Sequence, residues 1–433
     1  MVQDWKSEKY ELYYCKIKKN VFRKITRDDK GSRRFQVCDR LAWKDVENME
    51  KIKVVIAIDS LKGSLSSVEA GNCIRAGILR AIPDADVLVS PMADGGEGTV
   101  EALISGMGGT LQRVLVSGPL GDPVSCEYGI IEDGKTAMIE MAGAAGITLV
   151  PAAQRNPLDT TTYGVGQVIR SAIEKGCRRF LVGIGGSATN DGGIGMLQAL
   201  GYRFTDKEGN PVSFGAKGLR MLDSIDDSEV IPELKECRFY IACDVTNPLC
   251  GPQGCSAVFG PQKGADPEMI KEMDCWMKKY AELAKAKYPD ADPEFPGTGA
   301  AGGLGFAFLT FMNAELKSGI KIVIEETGLE KSIRDADVVV TGEGCLDGQT
   351  AMGKAPVGVA AIAKKYGKPV IAFAGSVTED AKTCNEKGID AFFPILRSAV
   401  TLEEAMDPEN ARKNITDTAE QVFRLLNVQC RMQ

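Results

Sequence analysis

The chain has 433 residues, 44% hydrophobic and 26% charged, and a formal net charge of −7. This composition is typical of a globular protein with two domains, and it argues against disorder, a membrane-spanning segment, and nucleic acid or membranes as partners. The chain contains no histidine, so acid–base chemistry must come from other residue types, and zinc hydrolases and Ser-His-Asp hydrolases are excluded.

Residues 1–50 differ from the rest of the chain. The first 48 residues carry 13 basic and 8 acidic side chains, which predicts a basic N-terminal extension without a catalytic role, or alternatively a basic interaction arm. No signal-peptide pattern precedes the rest of the chain, and the 13 cysteines form no C-x-x-C pair. We therefore expect reduced thiols and a cytoplasmic location.

From residue 52 onwards, apolar β-branched runs alternate with amphipathic stretches. Strands are predicted at 54–59, 86–92, 336–344, 368–376 and 390–396, and helices at 66–82, with Ser66 or Ser67 as N-cap, and at 356–366. This order implies a parallel sheet with crossover helices.

The middle of the chain has a different pattern. Residues 124–141 alternate around the turn dipeptide Asp133-Gly134, which predicts an antiparallel hairpin. We therefore predict an α/β protein with two domains. A discontinuous Rossmann-like parallel-sheet domain (52–115 and 298–428) receives an inserted mixed α/β domain (116–297), and the active site lies in the cleft between them.

Five apolar runs stop at an acidic residue flanked by small residues. They are IAIDSLKGS, VSPMADGGEGT, GIGGSATNDGG, ACDVTNPLCG and VVTGEGCLDGQT, whose acidic residues include Asp59, Asp94, Asp191, Asp244 and Glu343. One such residue alone would be a turn or a helix cap. Together they favour a carboxylate-lined site suited to Mg²⁺ and a hydroxyl nucleophile.

Part of the third stretch also fits the dinucleotide fingerprint G-x-G-x-x-A, through Gly183, Gly185 and Ala188. An NAD-dependent hydroxy-acid dehydrogenase is therefore an alternative. A regulator that senses a sugar acid or a nucleotide is a third, non-enzymatic hypothesis.

Three further stretches are compatible with anion binding. GQTAMGKA (348–355) resembles a phosphate loop but has Ala355 where Ser or Thr would hold Mg²⁺; its Lys354 would lie at a helix N-terminus. The glycines of PGTGAAGGLG (296–305) either bind an anion or allow close packing. RNPLDTTTYGVGQ (155–167) either clamps a small acid through Arg155 or only begins a helix.

Eight stretches resemble, in the same order, the motifs of the bacterial glycerate kinase family. They are IAIDSLKGSLSS, MADGGEGTVEA, RNPLDTTTYGVGQ, GIGGSATNDGGIGMLQALG, ACDVTNPLCGPQG, FGPQKGA, PGTGAAGGLG and TGEGCLDGQTAMGKAPVGVA. The resemblance extends over about residues 52–426. This sequence departs from the family pattern at Ile58, Cys345 and Met352, where the family usually has Pro, Arg and His.

The resemblance implies transfer of the γ-phosphoryl group of ATP to D-glycerate. The expected product is 2-phosphoglycerate rather than 3-phosphoglycerate, with Mg²⁺ as cofactor. It also implies a cytoplasmic enzyme, and it leaves open whether the chain forms a homo-oligomer.

We expect Asp191 to orient and deprotonate the glycerate hydroxyl, with Asp59 as the second candidate. Lys62 and Lys354 would neutralise phosphate oxygens. The expected Mg²⁺ ligands are Asp94 and Glu343. The expected substrate-binding residues are Ser64, Arg155, Thr161, Thr162, Ser187 and Asn190, and the expected nucleotide- or phosphate-binding residues are Gly185, Gly186, Gly302, Gly303 and Lys354.

Overall fold

A computed structural model of the chain describes residues 24–27, 33–36, 51–93, 98–131 and 133–432. Within these ranges the strands are β1 (Lys24–Arg27), β2 (Arg33–Gln36), β3 (Lys53–Ile58), β4 (Asp86–Val89), β5 (Gly109–Ser117), β6 (Pro123–Ile131), β7 (Thr136–Glu140), β8 (Arg179–Gly183), β9 (Arg203–Thr205), β10 (Ser224–Asp226), β11 (Arg238–Ala242), β12 (Ala314–Lys317), β13 (Val338–Leu346), β14 (Val370–Val377) and β15 (Ala391–Pro394).

The helices of the described ranges are α1 (Ser67–Ala81), α2 (Thr99–Met107), α3 (Ala142–Ala145), α4 (Tyr163–Glu174), α5 (Ile194–Ala199), α6 (Ala216–Met221), α7 (Cys255–Phe259), α8 (Pro267–Lys287), α9 (Ala300–Phe311), α10 (Gly319–Thr327), α11 (Leu329–Asp335), α12 (Ala355–Lys365), α13 (Thr383–Glu386), α14 (Leu402–Met406) and α15 (Pro408–Met432). In the part of the chain that the structure describes, none of them is long and apolar enough to span a membrane.

The first sheet is parallel throughout and has the strand order β15-β14-β13-β3-β4. The chain runs from β3 to the edge strand β4 and later returns at β13 on the other side of β3. The boundary between β3 and β13 is therefore a topological switch point, where ligands of open α/β sheets usually bind. The five predicted strands of this sheet are confirmed.

Local signals also explain α1. The Ser66 hydroxyl accepts a hydrogen bond from the Glu69 backbone N–H over 3.3 Å, and the Glu69 carboxylate accepts one from the Ser66 N–H over 3.1 Å. This capping box confirms Ser66 as the N-cap. Helices α1 and α15 pack together on one face of the first sheet, with Ile74 and Phe423 in their shared core.

The second sheet is mixed and has the order β12-β11-β8-β7-β6-β5. Strands β5, β6 and β7 pair antiparallel, whereas β7, β8, β11 and β12 pair parallel. The predicted hairpin is confirmed as β6 and β7. Its turn is held by Asp133, whose carboxylate accepts hydrogen bonds from the N–H groups of Lys135 and Thr136 over 2.8 and 2.9 Å.

The sheets bracket a shared apolar core. Val55 of β3, Leu103 of α2, Leu181 of β8 and Ile320 of α10 all belong to it. On the far side of the second sheet, Ile169 of α4 joins a separate core with residues from α5, α8 and α9. The mixed α/β architecture with a parallel sheet and a second, mixed sheet is therefore confirmed.

The chain passes from the first sheet to the second, and back again, at positions that differ from the predicted domain boundaries. The second sheet begins with β5 at residue 109 and ends with β12 at residue 317, whereas the boundaries were predicted after residues 115 and 297. The division into domains stays a prediction. So does the role of residues 1–50, of which only the short antiparallel pair β1 and β2 lies within the described residues.

Candidate active site

Acidic and basic side chains meet at the switch point between β3 and β13. Asp59 directly follows β3, and its N–H donates to the carbonyl of Gly342 on β13 over 2.9 Å. The next turn of this loop lies against β13 as well, since a Cβ on Gly344 would be 3.4 Å from the amide nitrogen of Lys62. Asp59 and Lys62 are thus held beside Glu343.

Glu343 belongs to a cluster of two carboxylates, a hydroxyl and a lysine. The Thr350 Oγ1 is 2.6 Å from Glu343 Oε1 and 3.1 Å from Asp347 Oδ1. The Lys354 Nζ lies 4.0 Å from Glu343 Oε2 and 3.7 Å from Asp347 Oδ1. Thr350 was not among the predicted site residues, because a threonine in a polar loop has no distinctive sequence signal.

The two carboxylates differ in acidity. Burial raises the pKa of Glu343, although the Thr350 hydrogen bond and the charges of Lys354 and Lys62 act in the opposite direction. Burial also acts to raise the pKa of Asp347, but the hydrogen bonds from Thr350 and the charge of Lys354 outweigh it, so that this pKa is lowered.

The cluster fits a hydrated Mg²⁺ ion carried by phosphate oxygens. Mg²⁺ prefers oxygen donors and is usually bound through one or two carboxylates together with substrate phosphates. Glu343 and Asp347 offer such donors. The other predicted ligand, Asp94, lies outside the described residues, and within those residues no group of three or more Asp, Glu or Cys side chains could hold a metal.

Lys354 occupies the position directly before α12, as the sequence predicts. The first backbone N–H groups of a helix lack helical partners and carry partial positive charge. The ammonium group of Lys354, at this helix start, therefore lies close to the Glu343 and Asp347 carboxylates. Binding of a phosphate there stays a prediction.

The loop GIGGSATNDGG (183–193) follows β8 in the second sheet. Gly185 and Gly186 are exposed, whereas residues 187–193 are buried. No helix begins at these glycines, because α5 begins only at Ile194. A dinucleotide fingerprint requires a helix that starts at its glycine turn, so the stretch gives no support to the dehydrogenase alternative.

Asp191 is fully buried and serves as a hydrogen-bond acceptor for two helix starts. Its Oδ2 accepts from the N–H and the hydroxyl of Thr162, each over 2.8 Å, and its Oδ1 accepts from the N–H of Gly193 over 3.1 Å. The pKa of Asp191 is raised, because burial outweighs these hydrogen bonds and one from the Gly195 N–H, which act to lower it. The carboxylate joins α4 to α5, so contact with a substrate would require this loop to open.

Two threonines that were predicted to bind substrate, Thr161 and Thr162, make hydrogen bonds with other residues of the chain. Thr162 donates to Asp191, and its hydroxyl oxygen accepts from the N–H of Met196 over 2.9 Å. The hydroxyl of Thr161 accepts from the N–H of Tyr163 over 3.2 Å. Both threonines are buried, and these contacts match the helix-entry alternative. A role in substrate binding stays a prediction.

Gly302 and Gly303 are buried against the same loop. Gly302 has a φ of +68°, and a Cβ there would lie 2.1 Å from the Thr189 carbonyl oxygen. A Cβ on Gly303 would lie 2.8 Å from the Cα of Gly192. These contacts match the close-packing alternative for this stretch, since only glycine allows so close an approach. Their predicted role in anion binding stays untested.

Lys263 contacts the loop 183–193, and sequence analysis did not identify it as a site residue. Its side chain is buried, with 2% relative exposure. Its Nζ donates to the Ser187 hydroxyl over 2.8 Å and to the Thr189 carbonyl over 2.6 Å. Burial lowers the pKa of Lys263 to about 8, although the nearby Cys255 and Asp191 act to raise it. A lysine in FGPQKGA looks exposed in sequence, so only the tertiary structure identifies it.

The lowered pKa of Lys263 predicts a pH dependence of stability. Between about pH 8 and the ordinary lysine value of 10.5 the unfolded chain binds more protons at this residue, so stability should rise with pH in that window. We expect the Lys263→Met variant to lack this increment, which amounts to about 2 kcal/mol between pH 7.5 and 9.5. Urea unfolding of both proteins at pH 7.5 and 9.5 measures it; parallel changes in the two proteins would contradict the assignment.

Three other predicted substrate-binding residues have buried polar atoms that make no hydrogen bond with described residues. These atoms are Ser64 Oγ, Arg155 Nε and Asn190 Oδ1. Asn190 is otherwise occupied, because its Nδ2 donates to the Ser256 hydroxyl over 2.9 Å. Such atoms are uncommon in native interiors and often mark a site that a ligand or water completes.

A protein-family model matches most of the chain. The family model described as "Glycerate kinase family" matches residues 54–427.

The chain belongs to the glycerate kinase family.

Several proteins of this family are closely similar to it. It is 51% identical to the glycerate 2-kinase of Escherichia coli K12, over 82% of this chain and 93% of that protein. It is 47% identical to the glycerate kinase of Haemophilus influenzae, over 87% of this chain and 99% of that protein. The crystal structure of a putative glycerate kinase 2 from Salmonella typhimurium LT2 superposes with a TM-score of 0.82 at 48% identity, covering 88% of this chain and all of that one.

Membership of the family confirms the resemblance predicted from eight motifs, and the comparisons give the dehydrogenase alternative no support. The two departures at the site have different surroundings. Cys345 lies on β13 and is half-buried, whereas the side chain of Met352 is 87% exposed between Thr350 and Lys354. The Cys345 thiol thus lies two residues from Glu343 on the same strand, while Met352 faces solvent.

Proposed function

We propose that the protein is an ATP-dependent glycerate kinase that converts D-glycerate to 2-phosphoglycerate. The observation that carries the proposal is the cluster of Asp59, Lys62, Glu343, Asp347 and Lys354 at the switch point of the first sheet, in a chain of the glycerate kinase family. The relatives named glycerate kinase and glycerate 2-kinase support the substrate and the 2-position.

In this proposal, charge neutralisation at the switch point supplies most of the catalysis. A phosphoryl group in transfer carries negative charge on three oxygens, which lysines and a divalent cation stabilise. Lys62 and Lys354 would contact phosphate oxygens. Glu343, with Asp347 and Asp94 as further donors, would hold Mg²⁺, which when bound neutralises the phosphate charge.

The proton of the reacting hydroxyl must go to a base. As the hydroxyl oxygen forms a bond to the γ-phosphorus, the bond from that phosphorus to the β-phosphate oxygen breaks, ADP leaves and the proton passes to a carboxylate. Asp191 and Asp59 remain the two candidates. Asp59 lies at the switch point beside Lys62, whereas Asp191 is enclosed by four donors and needs the loop to open.

The acid substrate would bind at the loop after β8. A carboxylate and two hydroxyls require cationic and hydroxyl donors, which Arg155 and Ser187 would provide. Gly185 and Gly186, both exposed, would let backbone amides approach the bound anions. Ser64 would contribute its unpaired hydroxyl from the loop after β3.

Phosphorus NMR of the product tests the proposal. Incubation of the protein with D-glycerate, ATP and Mg²⁺ should give ADP and the resonance of 2-phosphoglycerate, and EDTA should abolish both. The resonance of 3-phosphoglycerate would correct only the position of transfer. Absence of ADP, or formation of NADH when NAD replaces ATP, would refute the kinase assignment.

Lys354→Met tests the phosphate role of the α12 start. We expect KM for ATP to rise about tenfold or more, because a charge-assisted contact is worth roughly 1.5–3 kcal/mol. KM for glycerate should change little. Lys413→Met, which removes an exposed lysine on α15, is the matched control and should behave like the wild type. An unchanged KM for ATP in Lys354→Met would contradict the role.

A cytoplasmic location and the formation of homo-oligomers stay predictions. Gel filtration with light scattering measures the second directly.

A further inference from the structure

Lys263 is a buried lysine beneath the loop that follows β8, and the proposed reaction leaves it without a role. It ends a short 3-10 turn, Pro261–Lys263. Buried lysines are rare unless they are paired or used, because removing an ammonium group from water is costly. Here Nζ lies 2.8 Å from Ser187 Oγ and 2.6 Å from the Thr189 carbonyl oxygen.

The chemistry of these bonds sets the direction of the Ser187 hydroxyl. Below its pKa of about 8 the Lys263 side chain is an ammonium group with three N–H donors and no acceptor, so the Ser187 oxygen accepts. The hydroxyl proton of Ser187 is then left to be donated elsewhere. No described residue accepts it, and the exposed Gly185 and Gly186 precede it directly.

The turn that carries Lys263 also packs against Arg155. Gly264 has a φ of +96°, and a Cβ there would lie 2.1 Å from the Arg155 carbonyl oxygen. The Nε of Arg155 is buried and has no hydrogen-bond partner among described residues. This segment thus contacts Ser187, through Lys263, and the backbone of Arg155. A hydroxyl donor and a guanidinium group are both suited to bind a carboxylate.

We propose that Lys263 is a positioning residue that fixes Ser187 as a hydrogen-bond donor to the carboxylate of the acid substrate. It acts through Ser187 and does not itself touch the substrate. The identity of that substrate rests on the proposed function. The predicted consequence is that loss of Lys263 weakens carboxylate recognition and leaves the nucleotide side of the reaction intact.

The test compares Lys263→Met, Ser187→Ala and the double variant with D-glycerate and its neutral amide, glyceramide, as acceptors. Each single variant should raise KM for glycerate about tenfold and leave KM for ATP within twofold, since a hydrogen bond to a charged group is worth roughly 1.5–3 kcal/mol. The preference in kcat/KM for glycerate over glyceramide should fall. Because both changes remove the same interaction, the double variant should be no worse than the poorer single variant.

Several outcomes would overturn the inference. These are an unchanged preference for glycerate over glyceramide in both single variants, an equal fall in activity towards both acceptors, or losses that add in the double variant. If Lys263→Met does not fold, Ser187→Ala decides through the same preference, because it removes only one hydroxyl. Absence of glycerate turnover in the wild type would instead refute the proposed function, so the two failures are distinguishable.

Discussion

Replacement of Asp191 by Asn is expected to lower kcat by orders of magnitude and also to lower the melting temperature. A role as base alone would predict a loss of activity with an intact fold. The structure adds the loss of stability, because an Asn side chain cannot accept hydrogen bonds with both terminal atoms. One of the donors from Thr162 or Gly193 then faces an amide N–H group, which should cost about 3 kcal/mol or more.

Steady-state kinetics and thermal unfolding are measured for both Asp191→Asn and Asp59→Asn. The loss of kcat identifies the base, and the loss of melting temperature reports the structural role of each carboxylate. Asp59 accepts a hydrogen bond from the adjacent Ser60 N–H over 2.7 Å and is itself buried, with 6% relative exposure. If Asp59 is the base, Asp59→Asn loses orders of magnitude in kcat, whereas Asp191→Asn, assayed while folded, loses far less. If Asp191→Asn, assayed while folded, loses orders of magnitude in kcat and Asp59→Asn does not, Asp191 is the base and its loop opens during turnover.

Replacement of Gly302 by Ala should destabilise the protein strongly. The new Cβ would lie 2.1 Å from the Thr189 carbonyl oxygen, at a backbone φ of +68°. A left-handed backbone and overpacking each cost about 1–3 kcal/mol, so we expect a loss of roughly 3–5 kcal/mol. The displaced carbonyl is also the acceptor of Lys263, so activity should fall with stability.

Gly251→Ala is the matched control for this substitution. Gly251 has a φ of +88°, but a Cβ added there would have no described atom within 4 Å. It should therefore show only the backbone cost of a left-handed residue, about 1–2 kcal/mol. Urea unfolding of both variants gives the comparison, and equal losses would show that the close contact at Gly302 is relieved by a small shift.

Much of the fold could be predicted because its signals are local. The strands of the first sheet are short apolar runs between polar turns, and α1 begins at a capping box. The hairpin of β6 and β7 follows from alternation around Asp133 and Gly134. Each of these patterns is complete within about twenty residues, so no distant partner is needed to recognise it.

The sheet to which β5 and β12 belong could not be predicted in the same way. Their places in the chain put β12 and most of β5 in the predicted first domain, whereas the two strands form the edges of the second sheet. Strand partners are chosen by packing between residues far apart in sequence. A strand's own sequence carries little information about that choice.

By itself, the sequence determined the family, the elements and the residue types at the strand ends, since these depend on short patterns and on the absence of histidine. Only the tertiary structure decided which polar residues are accessible. It buries Asp191, Thr162 and Gly302 as packing and capping partners and places Lys263 beneath Ser187. Burial is a property of neighbours brought from distant parts of the chain, and for that reason no local pattern could distinguish a carboxylate that caps two helices from one that meets a substrate.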